Sequence, residues 1–304
     1  MKTPITQTVT LILLALGVIT LGWGCKAASI ATDIAAESGV ISEEERDSAN
    51  RTIEAFRKSA EEMTEEEEYY IGRAVAADII SRYGVVQNRS VTEYLNRVGK
   101  AVSLTSSRPE IYNDYHFAIL DSDEINAFAA PGGFVFITRG MLKLVPNEEA
   151  LSMVLGHEIA HVANRHGLEA INKNRLLEAF AVLGNEAGKT LDREEVVKLT
   201  KLYEGAVGDI VKTLIESGYS RSQEKDADHQ GCEFAANLGY EAGAMLEFLG
   251  AMDKAAAGGG GMFETHPPAQ DRIATLRPIV KSLGDRGTES SARTTRFQKA
   301  MASL

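Results

Sequence analysis

A five-residue run, His157 to His161, constrains this chain more than any other feature of its sequence. The run reads His-Glu-Ile-Ala-His, and on a helix its two histidines lie on one face and can bind the same ion. Zn²⁺ suits two neutral imidazoles and a carboxylate, with a fourth position left for water. Glu158 follows the first histidine and is placed to take a proton from an attacking water. The run therefore predicts a hydrolytic metal site; two surface histidines on an ordinary helix are the alternative.

The flanking sequence predicts the helix that this site requires, over residues 148–166. Asn147 is a good N-cap after a proline, and acidic residues fill the first turn. Apolar residues recur at helical spacing, and Gly167 is expected to end the helix as its C-cap. Both histidines then lie near the middle of a helix with one buried face.

The third metal ligand is predicted to be Glu224. Ser220 and Gln223 form a capping box that begins a new helix, on which Glu224 and Asp228 share a face. The rest of that face consists of small residues, Ala227, Gly231 and Ala235. These allow close approach to the first helix, where Asp228 can accept the outer N–H of a ligand histidine and fix its tautomer. A solvated charge run is the alternative.

Further motifs stand in order around these two helices. Asn-Ala-Phe-Ala at 126–129 and Pro-Gly-Gly-Phe-Val-Phe-Ile-Thr-Arg-Gly at 131–140 come before the first helix. Ser-Arg-x-x-Glu-x-x-Ala-Asp at 220–228 and Thr-His-Pro-Pro at 265–268, with Arg-Ile at 272–273, come after it. Together they resemble the gluzincin-type metalloprotease family that includes the CAAX prenyl protease, HtpX and the periplasmic lipoproteins BepA and LoiP. The layout resembles that of the BepA- and LoiP-like members, without the tetratricopeptide repeats of BepA.

The resemblance implies roles for the residues already singled out. His157, His161 and Glu224 would bind one zinc ion per chain, Glu158 would be the catalytic base, and Asp228 would support the ligands. The implied function is an envelope endopeptidase that degrades misfolded or unassembled proteins. A chaperone-like assembly factor with a latent or structural zinc site is the alternative, but a structural site would need no base.

His266 has no role fixed by spacing, and three remain open. It could donate a hydrogen bond to the oxyanion of the transition state. It could instead occupy the open position of zinc and hold the enzyme latent, which is the interpretation we favour. It could also cap the helix that begins near Pro268. The spacing of His166 and His229 gives them no ligand role, and packing or surface positions are expected.

Clear strand signals occur at 115–120 and 134–138, and the remainder is predicted to be mainly helical. The predicted fold is α+β, a mostly helical zincin-like catalytic domain with a small sheet whose edge strand lies beside the zinc helix. The residues predicted to form a substrate-binding edge strand are Phe134, Val135, Phe136 and Ile137. Main-chain pairing there would recognise extended polypeptide, with Gly132 and Gly133 allowing close approach. A core strand is the alternative.

The N-terminus is typical of a targeting segment. Residues 9–22 are apolar but too few for a comfortable membrane span, and small residues precede Cys25. We expect export and lipidation of Cys25; simple export and an uncleaved anchor are the alternatives. The resemblance implies the periplasmic side of a Gram-negative envelope, as an outer-membrane lipoprotein. Cys232, the other cysteine, would then be a lone thiol packed beside the Glu224 helix.

Composition agrees with one catalytic domain. The chain has 304 residues, 44% of them hydrophobic, and a formal net charge of −11, which excludes nucleic acid as a partner. The predicted divisions are a signal peptide (1–25), a spacer (26–63), a zinc metalloprotease domain (64–284) and a C-terminal tail (285–304). Expected partners are unfolded or misassembled envelope polypeptides and, through the lipid, a membrane. The oligomeric state is left open.

Overall fold

The computed structural model describes residues 42, 63–171, 193–255, 265–284 and 290–304. The signal segment with Cys25 and nearly all of the spacer lie outside the described residues. The helices are α1 (Glu65–Tyr83), α2 (Arg89–Ser103), α3 (Arg139–Leu144), α4 (Glu148–Ala163), α5 (His166–Glu169), α6 (Arg193–Lys212), α7 (Arg221–Asn237), α8 (Gly243–Ala255), α9 (Ala269–Leu283) and α10 (Ser291–Met301). The strands are β1 (His116–Leu120), β2 (Ala127–Ala130) and β3 (Phe134–Thr138).

Capping residues fix where the first helix begins and ends. The hydroxyl of Thr64 accepts the backbone N–H of Glu67, and the Glu67 carboxylate accepts the backbone N–H of Thr64 at 2.8 Å. The helix ends at Tyr83, where Gly84 takes a φ of 69° that favours glycine. Side-chain capping at Thr64 and the positive φ of Gly84 therefore define the two ends of α1.

The three strands form one mixed sheet in the order β1-β3-β2. Phe134 of β3 pairs in parallel with His116 of β1 and antiparallel with Ala130 of β2. The mostly helical α+β fold is therefore confirmed, and an edge strand does lie beside the zinc helix α4. That edge strand is β2.

The prediction that residues 134–137 form a substrate-binding edge is wrong. Both edges of β3 are paired within the sheet, so its backbone has no free groups for a substrate strand. The glycines before it serve close packing inside the domain. A Cβ on Gly132 would lie 2.6 Å from the Cα of Tyr69 in α1. Phe134–Thr138 is the core strand that was the alternative.

Helices cover both faces of the sheet. One face packs in a larger core against α2 and α4, and the other packs in a smaller core against α1 and α6. The buried strand residues in the larger core are Phe117, Ile119, Ala127, Ala129, Val135 and Ile137; those in the smaller core are Leu120, Phe128, Ala130 and Phe136. Alternate residues of each strand thus serve opposite layers, as the two-residue period requires.

Helix α10 packs against the N-terminal end of α4. Glu148 and Glu149 in the first turn of α4 are buried, and they pair with Arg296 and Arg293 of α10 respectively. Phe297 lies in the larger core. Negative charge at a helix N-terminus is favourable, and the arginines compensate its burial.

The segment set apart as a C-terminal tail therefore packs against the zinc helix. Residues Thr64–Leu304 form one compact unit.

Candidate metal centre

Helix α4 holds the two histidines of the motif in the interior of the domain. Its N-cap is Asn147, as predicted, whose side chain accepts the N–H of Ala150 at 2.8 Å. Every residue of α4 is buried. The helix ends at Ala163 rather than near 166, because Arg165 adopts a left-handed φ of 56° and a separate helix, α5, starts after it. Gly167 lies inside α5 and is not the C-cap.

Helix α7 lies directly against α4 because glycines meet at the contact. A Cβ on Gly231 would lie 2.5 Å from the backbone nitrogen of His157, and a Cβ on Gly156 would lie 2.5 Å from the carbonyl oxygen of Gly231. Ser220 caps α7 with Gln223 in the predicted capping box. The small-residue face therefore brings Glu224 to the histidines, as the sequence indicated.

The three predicted ligands converge on one point. The Nε2 atoms of His157 and His161 are 3.1 Å apart. The Glu224 carboxylate lies 3.7 Å from Nε2 of His157 and 3.5 Å from Nε2 of His161. With His266, these residues offer ligand atoms that all lie within 4.8 Å of one another.

The donor set suits a divalent cation such as zinc. Imidazole nitrogens and a carboxylate oxygen are its usual ligands. Among the described residues, Oε1 of Glu224 and Oε1 of Glu158 are buried without a hydrogen-bond partner. A buried carboxylate oxygen without a partner is costly unless a cation compensates it, so this pocket fits a metal ion.

Asp228 takes the position predicted for it behind His157. Its Oδ1 lies 2.9 Å from Nδ1 of His157. Arg272 of α9, which is also buried, donates to both Asp228 oxygens at 3.0 and 2.6 Å. Burial alone would raise the pKa of Asp228, but the Arg272 guanidinium holds that pKa below its usual range. Arg272 belongs to the Arg-Ile motif at 272–273, whose spacing alone predicts no role for it.

His161 has two aromatic neighbours, His166 and Tyr219. Its Nδ1 lies 2.9 Å from Nδ1 of His166, a buried residue that was expected to have no more than a packing or surface role. The Tyr219 ring stacks on His161 at 4.2 Å between centroids. Burial lowers the pKa of His161 well below its ordinary value and that of His166 to about 4. His229, by contrast, is exposed and lies beside Glu233.

His266 completes the cluster. Its Nδ1 lies 2.6 Å from Oε2 of Glu224, and its ring centroid lies 5.2 Å from that of His157. The helix α9 has no side-chain cap at its first turn, so His266 does not cap it. Of the three roles considered for His266, the two that involve the metal site remain.

Glu158 faces a narrow cleft beside the edge strand. The cleft is lined by Ala127, Phe128, Ala129, Glu158, Thr213, Leu214, Gly218, Tyr219, Thr265 and His266. Burial raises the pKa of the Glu158 carboxyl. A group that bears a raised pKa next to a metal cluster is typical of a catalytic base.

Comparison with known proteins agrees with this geometry. The sequence profile of peptidase family M48 matches residues 88–280. The chain is 25% identical over 266 residues to the beta-barrel assembly-enhancing protease of Escherichia coli K12, covering 86% of this chain and 54% of that protein. It is 27% identical over 209 residues to the mitochondrial metalloendopeptidase OMA1 of Schizosaccharomyces pombe, covering 66% and 57%.

A third relative is the metalloprotease YcaL of Escherichia coli K12. It is 27% identical over 173 residues, which cover 55% of this chain and 63% of YcaL. The matched part of each of these relatives is thus less than two thirds of its length. Within the described residues, no helix is long and apolar enough to cross a membrane.

Proposed function

Because this chain belongs to peptidase family M48, we propose that it is a zinc-dependent endopeptidase of the cell envelope. Its substrates would be misfolded or unassembled polypeptides. The observation that carries the proposal is the convergence of His157, His161 and Glu224, with Glu158 facing the same cleft as β2. Among the described residues, no strand pairs with the outer edge of β2. His157, His161 and Glu224 would hold one zinc ion per chain.

The side chains of the site supply a complete set of proton transfers for hydrolysis. A bound zinc ion supplies Lewis-acid activation of water and of the scissile carbonyl. Glu158 takes one proton as the water oxygen bonds to the carbonyl carbon, and that proton passes to the leaving amine as the C–N bond breaks. The Glu158 carboxylate is thereby regenerated. Its raised pKa suits a base that must both accept and release a proton.

The strand that would bind the substrate backbone is β2. The Thr138 N–H donates to the Asn126 carbonyl at 3.0 Å, so those two residues form a hydrogen-bonded pair. Because such pairs alternate along an antiparallel ladder, Ala127 and Ala129 direct their N–H and C=O groups away from β3. The Tyr219 hydroxyl donates to the Ala129 oxygen at 3.4 Å, which agrees with that direction. An extended substrate can pair with these groups whatever its side chains are.

The decisive experiment compares the wild type with Glu158→Gln on a panel of unfolded polypeptides. We expect the wild type to cut them, and Glu158→Gln to keep about one zinc ion per chain while turnover falls by about 10²–10⁴-fold. Glu233→Gln, at a partly exposed position of α7 beside the exposed His229, is the matched control and should cut normally. A zinc-loaded wild type that binds polypeptides and never cuts them would favour the chaperone-like alternative.

The envelope location is proposed from the N-terminal sequence and from the bacterial relatives. We expect Cys25 to be lipidated, so Cys25→Ser should move the protein from the membrane fraction to the soluble periplasmic fraction. Stable anchoring needs more than one acyl chain, as on a mature lipoprotein. Membrane retention of the variant, measured by fractionation and immunoblotting, would instead indicate an uncleaved anchor.

A further inference from the structure

The two histidines of α4 have different outer partners. His157 meets a carboxylate, with its Nδ1 2.9 Å from Oδ1 of Asp228. His161 meets another imidazole, with its Nδ1 2.9 Å from Nδ1 of His166. Both contacts are buried. The second contact is chemically more demanding, because an imidazole nitrogen can be either a donor or an acceptor.

A metal ion bound to Nε2 of His161 would fix where the proton in the second contact lies. A hydrogen bond between two ring nitrogens needs one donor and one acceptor. Nε2 of His161 faces Nε2 of His157 and the Glu224 carboxylate, so a metal ion there requires the Nε2 lone pair. The proton of neutral His161 must then sit on Nδ1. His166 accepts it through its own Nδ1 and carries its proton on Nε2.

We propose that His166 is a positioning residue, which accepts a hydrogen bond from Nδ1–H of His161 and holds that imidazole in its metal-binding tautomer and orientation. The inference rests on the metal site proposed above. A histidine ligand usually donates its second N–H to a carboxylate, a carbonyl or water. The neutral imidazole of His166 can accept this hydrogen bond in place of those groups. It adds no negative charge beside Glu158 and Glu224, which are already buried carboxylates.

The turn before His166 is held so as to place that ring. Arg165 adopts a left-handed conformation that non-glycine residues rarely take, and its Nε lies 3.0 Å from the buried carboxylate of Glu68 in α1. Arg108 also binds Glu68, at 3.1 Å, and donates to the carbonyl oxygen of Val162 at 3.3 Å. Helix α1 thus stabilises the end of α4 and the start of α5.

Two substitutions of His166 distinguish its role as a hydrogen-bond acceptor from its contribution to side-chain packing. His166→Asn places an amide oxygen close to the position of Nδ1, whereas His166→Leu has similar bulk and accepts no hydrogen bond. We expect the leucine variant of the full chain to bind zinc about 10–100-fold more weakly in competition with a chromophoric chelator, and the asparagine variant to stay near the wild type. His229→Leu, at an exposed position, is the control. Equal zinc affinity of all three variants, or equal loss in both His166 variants, would overturn the proposal.

A direct measurement covers the case in which His166→Leu fails to fold. In the zinc-loaded wild type labelled with ¹⁵N-histidine, NMR should show His161 protonated at Nδ1 and His166 protonated at Nε2. An unprotonated Nδ1 on His161 overturns the proposal. His161→Ala tests the metal site separately: zinc bound by the wild type and lost from this variant upholds that site even if the tautomers disagree. A wild type that binds no zinc ends both proposals.

Discussion

At His266, one side chain can serve the metal site in two ways that change activity in opposite directions. Its Nδ1 lies 2.6 Å from Glu224, and its side chain is 8% exposed, so the ring is already inside the cluster at rest. That position suits a side chain that fills the fourth corner of the site and excludes water. It suits less well a histidine that must donate a hydrogen bond to the oxyanion formed in the transition state, because its Nδ1 is already bonded to Glu224.

We therefore expect His266→Ala to raise the basal rate of polypeptide cleavage and to retain zinc, because three ligands remain. An oxyanion donor would instead make turnover fall by about 10²–10³-fold. Cleavage of a quenched fluorescent polypeptide, with zinc content measured on the same sample, gives the sign of the change. His229→Ala should leave the rate unchanged, and an unchanged rate in His266→Ala would reject both roles.

Individual residues of the site differ in how far the sequence could assign them. His157, His161, Glu224 and Asp228 follow from helical spacing, because each pair lies on one helix face. His166 does not, because five positions along a continuing helix would place it about 140° from His161. Arg165, in a left-handed conformation, interrupts the helix, and His166 then lies against His161. No local pattern signalled that break.

Among the elements, the contact between α4 and α7 sets the distance between the proposed metal ligands of the two helices. It depends on Gly231, where any Cβ would overlap the backbone of His157. Backbone atoms cannot move aside as a flexible side chain can. A larger residue must therefore separate the two helices and draw Glu224 away from the histidines.

We expect Gly231→Ala to weaken zinc binding and to lower the midpoint of thermal unfolding. The matched control is Gly250→Ala in α8, where an added Cβ meets no atom within 4 Å. That change should be neutral or should stabilise the protein by up to about 1 kcal/mol, since alanine is the better helix former. Zinc affinity and melting temperature measured on both variants check this. Wild-type zinc affinity in Gly231→Ala would show that the helix spacing does not control the site.

Within the sheet, the sequence predicted strand β3 and did not predict strand β2. Strand β3 was predicted with its observed bounds, because Phe134–Thr138 is rich in aromatic and β-branched residues. Strand β2 has the sequence Ala-Phe-Ala-Ala and carries no such signal. With β2 missing, β3 was taken for the edge. The order of strands depends on long-range pairing, and the short segment that decides it was not recognised.

At the scale of the whole molecule, the proposed metal site joins parts of the chain that are distant in sequence. Helix α4 supplies His157 and His161, α7 supplies Glu224, and the segment before α9 supplies His266. A bound ion would therefore link these elements and offset the burial of the Glu224 carboxylate. An ion that binds the folded state and not the unfolded chain stabilises the fold by mass action.

We expect removal of zinc to lower the melting temperature and its return to restore it. With free zinc at about 100 times its dissociation constant, the gain is about 2.7 kcal/mol, which corresponds to about 5–10 °C for a domain of this size. Differential scanning fluorimetry of the full chain, with a chelator and then with graded zinc, measures the shift. His161→Ala should abolish the zinc dependence, whereas His229→Ala, outside the cluster, should keep it. A wild-type melting temperature that does not change on chelation or on zinc addition would mean that these buried side chains hold no metal in the folded protein.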